Sequence, residues 1–267
     1  MTRFIPDGFH KQRSFGEIMS NSDDDYSLEW ENDEVRVNVP FSVAGVGTTI
    51  MLESKFTGKK MLLDVGDGAT QALFRSYSKS SVEDLSLIAI SHGHFDHIGG
   101  LYSVLGFLRM LNRETPLDIL FPRDSSEVRN LIDAFHVSYS STTPFAIRCH
   151  ELMHGVEFDT DFFKIIGYTV EHFDSDVPIT EIVYEPALGF RVTIGATVIA
   201  YTGDTGMCSN LRDIVRGADL ALIEATYHKT PPQEIRAHLS LEEAKELAKQ
   251  AKNHLIIHQV PAWVRDL

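Results

Sequence analysis

The most chemically specific stretch of the sequence is Ser91–Gly100, which reads SHGHFDHIGG. It contains His92, His94, Asp96 and His97, directly after the apolar run LIAIS. Neutral imidazoles and carboxylates are the ligands that zinc and similar ions accept. A loop that needs only solubility rarely has four such side chains directly after an apolar run. The cluster therefore predicts a metal site, with enough ligands to serve two ions.

Candidate ligands also lie at the ends of other apolar runs. Asp64 lies in MLLDV, Asp204 ends TVIAYTGD, and His258 ends LIIH. Histidine and aspartate are costly to bury without a partner, so their position at the tips of buried strands needs a reason. In α/β folds, the carboxyl ends of strands collect ligands and catalytic groups. One shared metal site would account for these side chains together with His92.

Short apolar runs alternate with amphipathic stretches, and this pattern predicts alternating strands and helices. The predicted strands are Phe41–Leu52, Met61–Val65, Leu87–Ile90, Leu117–Phe121, Phe163–Val170, Gly189–Val192, Thr197–Tyr201, Leu220–Ile223 and Leu255–Ile257. The predicted helices are Ala69–Tyr77, Ile98–Leu111, Glu127–Phe135, Asn210–Gly217 and Leu241–Lys252. Ser240 followed by Glu243 predicts a capping box at the start of the last helix. The mixture predicts layered α/β packing around a sheet core.

Composition and charge restrict the class of protein. The chain is 43% hydrophobic and 23% charged, as globular proteins are. It has no apolar run long enough to span a membrane and no signal-like stretch at its N-terminus, so a cytoplasmic location without a membrane partner is expected. The 24 Lys and Arg residues against 38 Asp and Glu give a net charge of −14. Such a surface repels phosphate backbones unless a basic patch or bound cations reverse the field locally.

The chain is predicted to contain one domain after an N-terminal arm. Residues 1–34 are polar and acidic toward their end and predict a surface arm or an irregular lead-in. Residues 35–267 contain no internal repeat and no low-complexity linker, so they are expected to form a single catalytic domain. Cys149 and Cys208 are too few for a disulfide framework and are expected to be buried thiols.

The pattern His-x-His-x-Asp-His after a strand resembles the metal-binding motif of metallo-β-lactamase fold hydrolases. The resemblance extends from about Val39 to Val260. Within that superfamily, DVGDGATQAL, YTGDT and LIEATYH followed by AHLSLEEA resemble segments of ribonuclease Z and related phosphodiesterases. The resemblance implies a four-layered αββα sandwich with a dinuclear metal site at one edge, between the two sheets.

The resemblance also implies a set of metal ligands. The first metal would be held by His92, His94 and His172, the second by Asp96, His97 and His258, and Asp204 would bridge both. His150 and His154 also lie in the interval where the third histidine of the first metal is expected. We prefer His172 because the run PALGFRV, which follows it, resembles the family's segment downstream of that ligand.

Further residues match positions around the metals. His238 matches a histidine that faces the substrate phosphate and can donate a hydrogen bond or a proton to the leaving oxygen. The alternative is that His238 is only a polar residue before a helix cap. Glu224 can orient His238 or be a surface carboxylate at a strand end. Asp64 is expected to bond loop backbone or a ligating histidine and so to fix the tautomer of that ring.

The resemblance implies a hydrolase in which two divalent ions activate a hydroxide for attack on a phosphodiester. The ions would be zinc, with manganese or iron as alternatives, and Asp96 can also orient the hydroxide. Three departures from the segments of related enzymes decide which substrates are favoured. VEHFDSD replaces a Pro-Gly-His-Thr segment of lactam and thioester hydrolases, and His97 replaces a glutamate of the oxygen-reducing branch. The interval from Phe173 to Gly203 is short and lacks the basic arm with which ribonuclease Z grips transfer RNA.

A small or nucleotide-type phosphodiester is therefore the favoured substrate, and transfer RNA is disfavoured. The alternatives within enzymes are a ribonuclease Z-type transfer RNA 3′ endonuclease and an ester or sulfate-ester hydrolase. From a different class, the chain could be a catalytically silent metal-bound sensor or partner protein. Because related enzymes are often dimers, the resemblance is compatible with a homodimer.

Overall fold

Two β-sheets form the centre of the computed structural model, which describes residues 27–76, 83–174 and 178–261. The first sheet runs in order through β1 (Leu28–Glu31), β2 (Val35–Val43), β3 (Gly47–Ser54), β4 (Lys60–Val65), β5 (Leu85–Ala89), β6 (Leu117–Pro122) and β7 (Ile147–Leu152). The second sheet consists of β8 (Glu157–Asp159), β9 (Lys164–Thr169), β10 (Leu188–Ile194), β11 (Thr197–Tyr201), β12 (Leu220–Glu224) and β13 (His254–Ile257). In this sheet, neighbouring strands follow one another in the order β13, β12, β11, β10, β9 and β8.

Each sheet has an antiparallel and a parallel part. Strands β1 to β4 pair antiparallel and β4 to β7 pair in parallel. In the second sheet, β8 to β11 pair antiparallel and β11 to β13 pair in parallel. Parallel strands run in one direction, so their carboxyl ends meet at one edge of each sheet. At this edge the backbone N–H of Ala44, after β2, donates to the carbonyl of Gln259, after β13, and joins the two sheets.

Helices cover the outer faces of both sheets. In the described part of the chain they are α1 (Ala69–Ser76), α2 (Phe95–Ile98), α3 (Leu101–Met110), α4 (Ser126–Tyr139), α5 (Leu211–Val215) and α6 (Leu241–Ala248). Buried apolar side chains form one cluster between the sheets, a second between the first sheet and α1 to α4, and a third between the second sheet and α5 and α6. This layering confirms the predicted α/β class and the four-layered αββα sandwich.

The helix patterns that the sequence predicts correspond to observed helices. Helix α3 buries Leu101, Val104, Leu105 and Leu108, so its apolar stripe packs into the core as expected. The predicted capping box of α6 is present. The backbone N–H of Glu243 donates to Ser240 Oγ at 3.3 Å, and that of Ser240 donates to Glu243 Oε2 at 2.9 Å.

The strand prediction was wrong at the first hairpin and missed three strands. The run Phe41–Leu52 was expected to be one strand, but β2 ends at Val43 and β3 begins at Gly47. Gly45 takes a φ of 70° in the turn between them, a conformation that favours glycine. Strands β1, β7 and β8 were not predicted. They lie at the edges of the sheets and are mostly half-buried or exposed, so they have no apolar run.

The end of the predicted N-terminal arm is part of the first sheet. Residues 1–26 lie outside the described residues, but Leu28–Glu31 forms β1 and pairs with β2. The carboxylate of Glu34 also accepts from Ala196 N at 2.9 Å and Thr197 Oγ1 at 2.6 Å, on the second sheet.

Cys149 is exposed and Cys208 is half-buried, so the prediction of two buried thiols was wrong. None of the described helices is long and apolar enough to cross a membrane.

Candidate metal centre

All seven predicted metal ligands lie together at the edge where the parallel strands end. Three sets of side chains each offer ligand atoms within 4.8 Å of one another: His92, His94 and His172; Asp96, His97 and His258; and His92, His97 and Asp204. A fourth such set adds His238 to Asp204 and His258. Asp204 therefore lies between the group that holds His92 and the group that holds His258.

The other two candidate histidines lie elsewhere. His150 Nε2 is 2.8 Å from Asp118 Oδ1, near the start of β6, and His154 Nδ1 accepts the backbone N–H of Thr169 at 3.1 Å. Neither belongs to any of the four ligand groups among the described residues. Of the three alternatives from the sequence, the structure brings only His172 to the cluster.

Backbone geometry at the strand ends positions the ligand loops. Gly66, after β4, lets the chain pass close to the loop of Asp96, because a Cβ there would lie 2.2 Å from the Asp96 carbonyl oxygen. Gly203, before Asp204, has a φ of 60°. Asp64 and His258 take φ values of 58° and 54°, which are uncommon for residues other than glycine. Such conformations cost free energy and persist only where surrounding contacts hold them.

The outward nitrogens of four histidines are held by polar partners. His97 Nδ1 lies 2.7 Å from Asp64 Oδ2, and His172 Nδ1 donates to the carbonyl of Ala237 at 3.0 Å. The other two pairs are His92 Nδ1 with Ser91 Oγ at 3.0 Å and His258 Nδ1 with Thr226 Oγ1 at 2.9 Å. Such partners fix the orientation and tautomer of a ligating ring.

Most of the atoms that face the interior of the cluster are hydrogen-bond acceptors. Because His172 Nδ1 carries a proton for the Ala237 carbonyl, the Nε2 of the neutral ring bears a lone pair, and it lies 3.0 Å from His94 Nδ1. His92 Nε2 and Asp204 Oδ1 are buried and have no hydrogen-bond partner. Buried polar atoms in native proteins are rarely left without one. A divalent cation would satisfy these atoms at once, so the donor set fits the metal centre that the sequence predicts.

The second group is equally compact. Asp96 Oδ2 lies 3.2 Å from His258 Nε2 and accepts the backbone N–H of Gly45 at 2.8 Å. Asp204 Oδ2 lies 3.3 Å from both His97 Nε2 and His258 Nε2. One carboxylate oxygen thus faces two imidazole nitrogens, as expected of a shared ligand.

Burial and neighbouring charges set the protonation of these groups. Burial lowers the pKa of His92 well below its usual range and that of His172 to about 3. Both rings are therefore neutral, which is the form that binds a metal. Burial also acts to lower the pKa of His97, but the carboxylates of Asp204 and Asp64 outweigh it and raise this pKa well above its usual range.

The two predicted carboxylate ligands are ionised. Burial raises the pKa of Asp96, yet the hydrogen bond from His258 and the charge of His97 outweigh it and bring this pKa to about 2. For Asp204, burial is again outweighed, here by His258 and His97, and its pKa lies well below the usual range. Two buried anions among imidazoles form an environment that attracts cations.

His238 lies beside the cluster, with Glu224 behind it. Its Nδ1 is 3.1 Å from Glu224 Oε1, and its ring stacks on that of His258 at 5.8 Å. Burial lowers the pKa of His238, but Glu224 and then Asp204 outweigh this effect and raise it to about 9. Glu224 is fully buried and also accepts the backbone N–H of Leu239 at 2.9 Å. Glu224 is thus placed to orient His238 and is not a surface carboxylate.

The sequence did not reveal several residues of the site, among them Tyr201 and Glu185. Tyr201 Oη donates to Asp64 Oδ2 at 2.6 Å, and a tyrosine within the apolar run of β11 gives no local sign of this contact. Glu185 Oε2 lies 2.9 Å from His94 Nε2. Glu185 comes from an irregular segment, and no motif marks it.

Comparisons with known proteins identify relatives of this chain. The profile of the beta-lactamase superfamily domain matches residues 60–258. Ribonuclease Z of Thermococcus sibiricus is 25% identical over 252 residues, which cover 78% of this chain and 79% of that protein.

Two solved structures are similar in fold. The metallo-beta-lactamase fold protein YhfI from Bacillus subtilis has a TM-score of 0.67 and 20% identity, over 88% of this chain and 90% of that one. The short form of human tRNase Z has a TM-score of 0.66 and 20% identity, over 85% of this chain and 93% of that one. Since the profile covers most of the sequence and the sandwich is the same, the chain belongs to the beta-lactamase superfamily and is a hydrolase of the metallo-β-lactamase fold.

Proposed function

We propose that this hydrolase uses two divalent metal ions to cleave a phosphodiester in a small or nucleotide-type substrate. The observation that supports it most is the convergence of five histidines and two aspartates, with His92 Nε2 and Asp204 Oδ1 left without a protein partner. The similarity to ribonuclease Z supports a phosphodiester as the bond attacked, because a ribonuclease cleaves that bond.

The seven side chains divide into two coordination groups. We propose that His92, His94 and His172 hold one ion, that Asp96, His97 and His258 hold the other, and that Asp204 contacts both. Zinc is the proposed ion, with manganese or iron as alternatives, since imidazole and carboxylate accept all three. Two such ions, when bound, supply a hydroxide at neutral pH and polarise the phosphoryl group. With such ions bound, this acidic chain would hold an anionic substrate at this point.

His238 is the proposed proton donor to the leaving oxygen. Glu224 holds its Nδ1 at 3.1 Å, which leaves the other ring nitrogen for the substrate. The side chain of His238 is 13% exposed, so this ring lies at the border of the buried cluster. A histidine positioned by a buried carboxylate is a common arrangement for general acid catalysis. Asp96 is proposed to orient the attacking hydroxide as well as to bind metal.

The similarity to ribonuclease Z also favours a second candidate, a transfer RNA 3′ endonuclease. Against it, the interval from residue 173 to 203 contains one basic residue, Arg191. Its guanidinium donates to the backbone carbonyls of Ile214 at 2.6 Å and Arg216 at 3.0 Å. This interval therefore offers no basic arm for an RNA backbone. For this reason we prefer a small or nucleotide-type substrate to transfer RNA.

Metal content and turnover test the proposal together. We expect purified protein to contain close to two equivalents of metal and to hydrolyse bis(p-nitrophenyl) phosphate. Chelation should abolish turnover, and added zinc, manganese or iron should restore it. The same preparation should be offered a transfer RNA precursor, because faster cleavage of that RNA would favour the second candidate. Absence of turnover on both substrates after metal is restored would contradict both candidates and favour the non-catalytic alternative.

Replacing His238 tests its role as a proton donor. For His238→Ala, we expect kcat to fall by about 10²- to 10³-fold on a diester whose leaving group is a nucleoside hydroxyl. The loss should be much smaller for bis(p-nitrophenyl) phosphate, because p-nitrophenolate leaves without a proton. Steady-state kinetics on both substrates, with metal content measured in parallel, give the comparison. His228→Ala is the control, since His228 is exposed and lies outside the ligand groups. Equal losses on the two substrates would contradict proton donation.

A further inference from the structure

His94 differs from the other six predicted ligands in its exposure. Its side chain is 31% exposed, whereas the side chain of each of the others is at most 7% exposed. It lies in extended backbone directly before α2, with a φ of −66° and a ψ of 149°. A ring at the border of the site has fewer neighbours to fix it, so its orientation depends strongly on any polar partner.

Glu185 supplies that partner. Its Oε2 lies 2.9 Å from His94 Nε2, and its backbone N–H donates to the carbonyl of His172 at 3.0 Å. The neighbouring Tyr184 ring contacts the ring of Phe173 edge-on, with centroids 5.7 Å apart. These contacts fix the segment before β10 beside His172. Glu185 therefore contacts two of the three histidines in the first group, His94 and His172.

This contact determines which nitrogen of His94 faces the metal group. A carboxylate offers only acceptors, so the neutral His94 ring places its proton on Nε2 and its lone pair on Nδ1. That Nδ1 faces His172 Nε2 at 3.0 Å, inside the cluster. A hydrogen-bond acceptor on the outer nitrogen fixes the orientation and the tautomer of a ligating imidazole.

We propose that Glu185 is a positioning residue for the first metal ion, acting through His94. This inference rests on the metal centre of the proposed function and adds to it a residue from the irregular segment before β10. It predicts that metal affinity in the first group depends on a side chain that does not itself touch the metal.

The test compares Glu185→Ala with Glu185→Gln. We expect Glu185→Ala to weaken the binding of one of two zinc ions by about 10- to 100-fold, measured by competition with a chelating indicator. Glu185→Gln should retain most of the affinity, because its amide oxygen still accepts from Nε2. Glu181→Ala is the control, since Glu181 is exposed, lies four positions before Glu185 and has the same charge. Nitrogen-15 spectra of the metal-free protein should show His94 protonated at Nε2, and a mixture of tautomers in Glu185→Ala.

Two outcomes would overturn the inference while leaving the proposed function intact. One is wild-type protein that binds two zinc ions together with a Glu185→Ala variant of unchanged affinity and unchanged His94 tautomer. The other is Glu185→Gln as weak as Glu185→Ala, which would exclude the hydrogen bond as the cause. By contrast, wild-type protein that binds no zinc, manganese or iron would overturn the metal centre itself.

Discussion

Replacing Asp204 with asparagine is expected to abolish metal-dependent hydrolysis and to lower the metal content of the protein. Asp204 is 2% exposed, and its Oδ2 lies 3.3 Å from the Nε2 atoms of both His97 and His258. Asparagine keeps the shape of the side chain but removes one of the two negative charges that the ligands offer to the cations. The loss of several kcal/mol of electrostatic stabilisation corresponds to a fall in kcat/KM of at least about 10³-fold. Kinetics with bis(p-nitrophenyl) phosphate and metal analysis of the same samples give the measurement.

Asp118→Asn is the matched control for this variant. Asp118 is also a buried carboxylate, 8% exposed, and accepts from Arg148 and His150. It lies near the start of β6, at the opposite end of the parallel strands from the metal centre. We therefore expect Asp118→Asn to keep its metal and its turnover. An Asp204→Asn protein that also kept both would show that Asp204 does not join the two groups.

Residues that follow buried strands were predictable from the sequence. A parallel strand has a continuous apolar run, and the first His or Asp after it marks the carboxyl end where ligands collect. His92, Asp204 and His258 followed this rule, Asp64 lies just inside the end of β4, and the structure brings all four to one edge. A local pattern could reveal these residues because each apolar run is buried, and a His or Asp at its end then needs a partner.

Contacts made across the fold were not predictable in this way. Glu185 and His94 are 91 positions apart, and Tyr201 and Asp64 are 137 apart, so no local spacing relates them. The edge strand β7 was also missed, because one face of it meets solvent and only Leu152 is buried. The hairpin at Gly45 did have a local signal, since glycine in a run of β-formers indicates a turn.

The second large effect is expected for Asp64→Asn. The carboxylate is fully buried and accepts four hydrogen bonds: from Ser91 N at 2.7 Å to Oδ1, and from Ser91 Oγ at 2.7 Å, His97 Nδ1 at 2.7 Å and Tyr201 Oη at 2.6 Å to Oδ2. Burial, and then the charge of Asp64, raise the pKa of Tyr201 well above its usual range, so the phenol remains a donor. In the Asp64→Asn variant, the side-chain NH2 group would face at least one of these donors, so that donor would lose its acceptor.

Asparagine tolerates the left-handed backbone of Asp64, whose φ is 58°, so the change tests the hydrogen bonds rather than the turn. We expect the free energy of unfolding of the metal-free protein to fall by about 2 to 4 kcal/mol, because buried donors lose their acceptor. Zinc affinity should fall by about 10- to 100-fold, because His97 loses the partner that orients it. Urea denaturation and chelator competition measure the two effects separately.

Tyr201→Phe provides a graded comparison for the Asp64 variant. It removes one of the four donors and leaves the contact between Asp64 and His97 in place. We expect a loss of about 1 to 2 kcal/mol in the free energy of unfolding, because a buried hydrogen bond to a carboxylate is lost. Zinc affinity should stay close to that of the wild-type protein. If Tyr201→Phe weakened zinc binding as much as Asp64→Asn, general loosening of the strand ends would explain both results. A difference between the two variants would show that Asp64 serves the metal centre through the ring of His97.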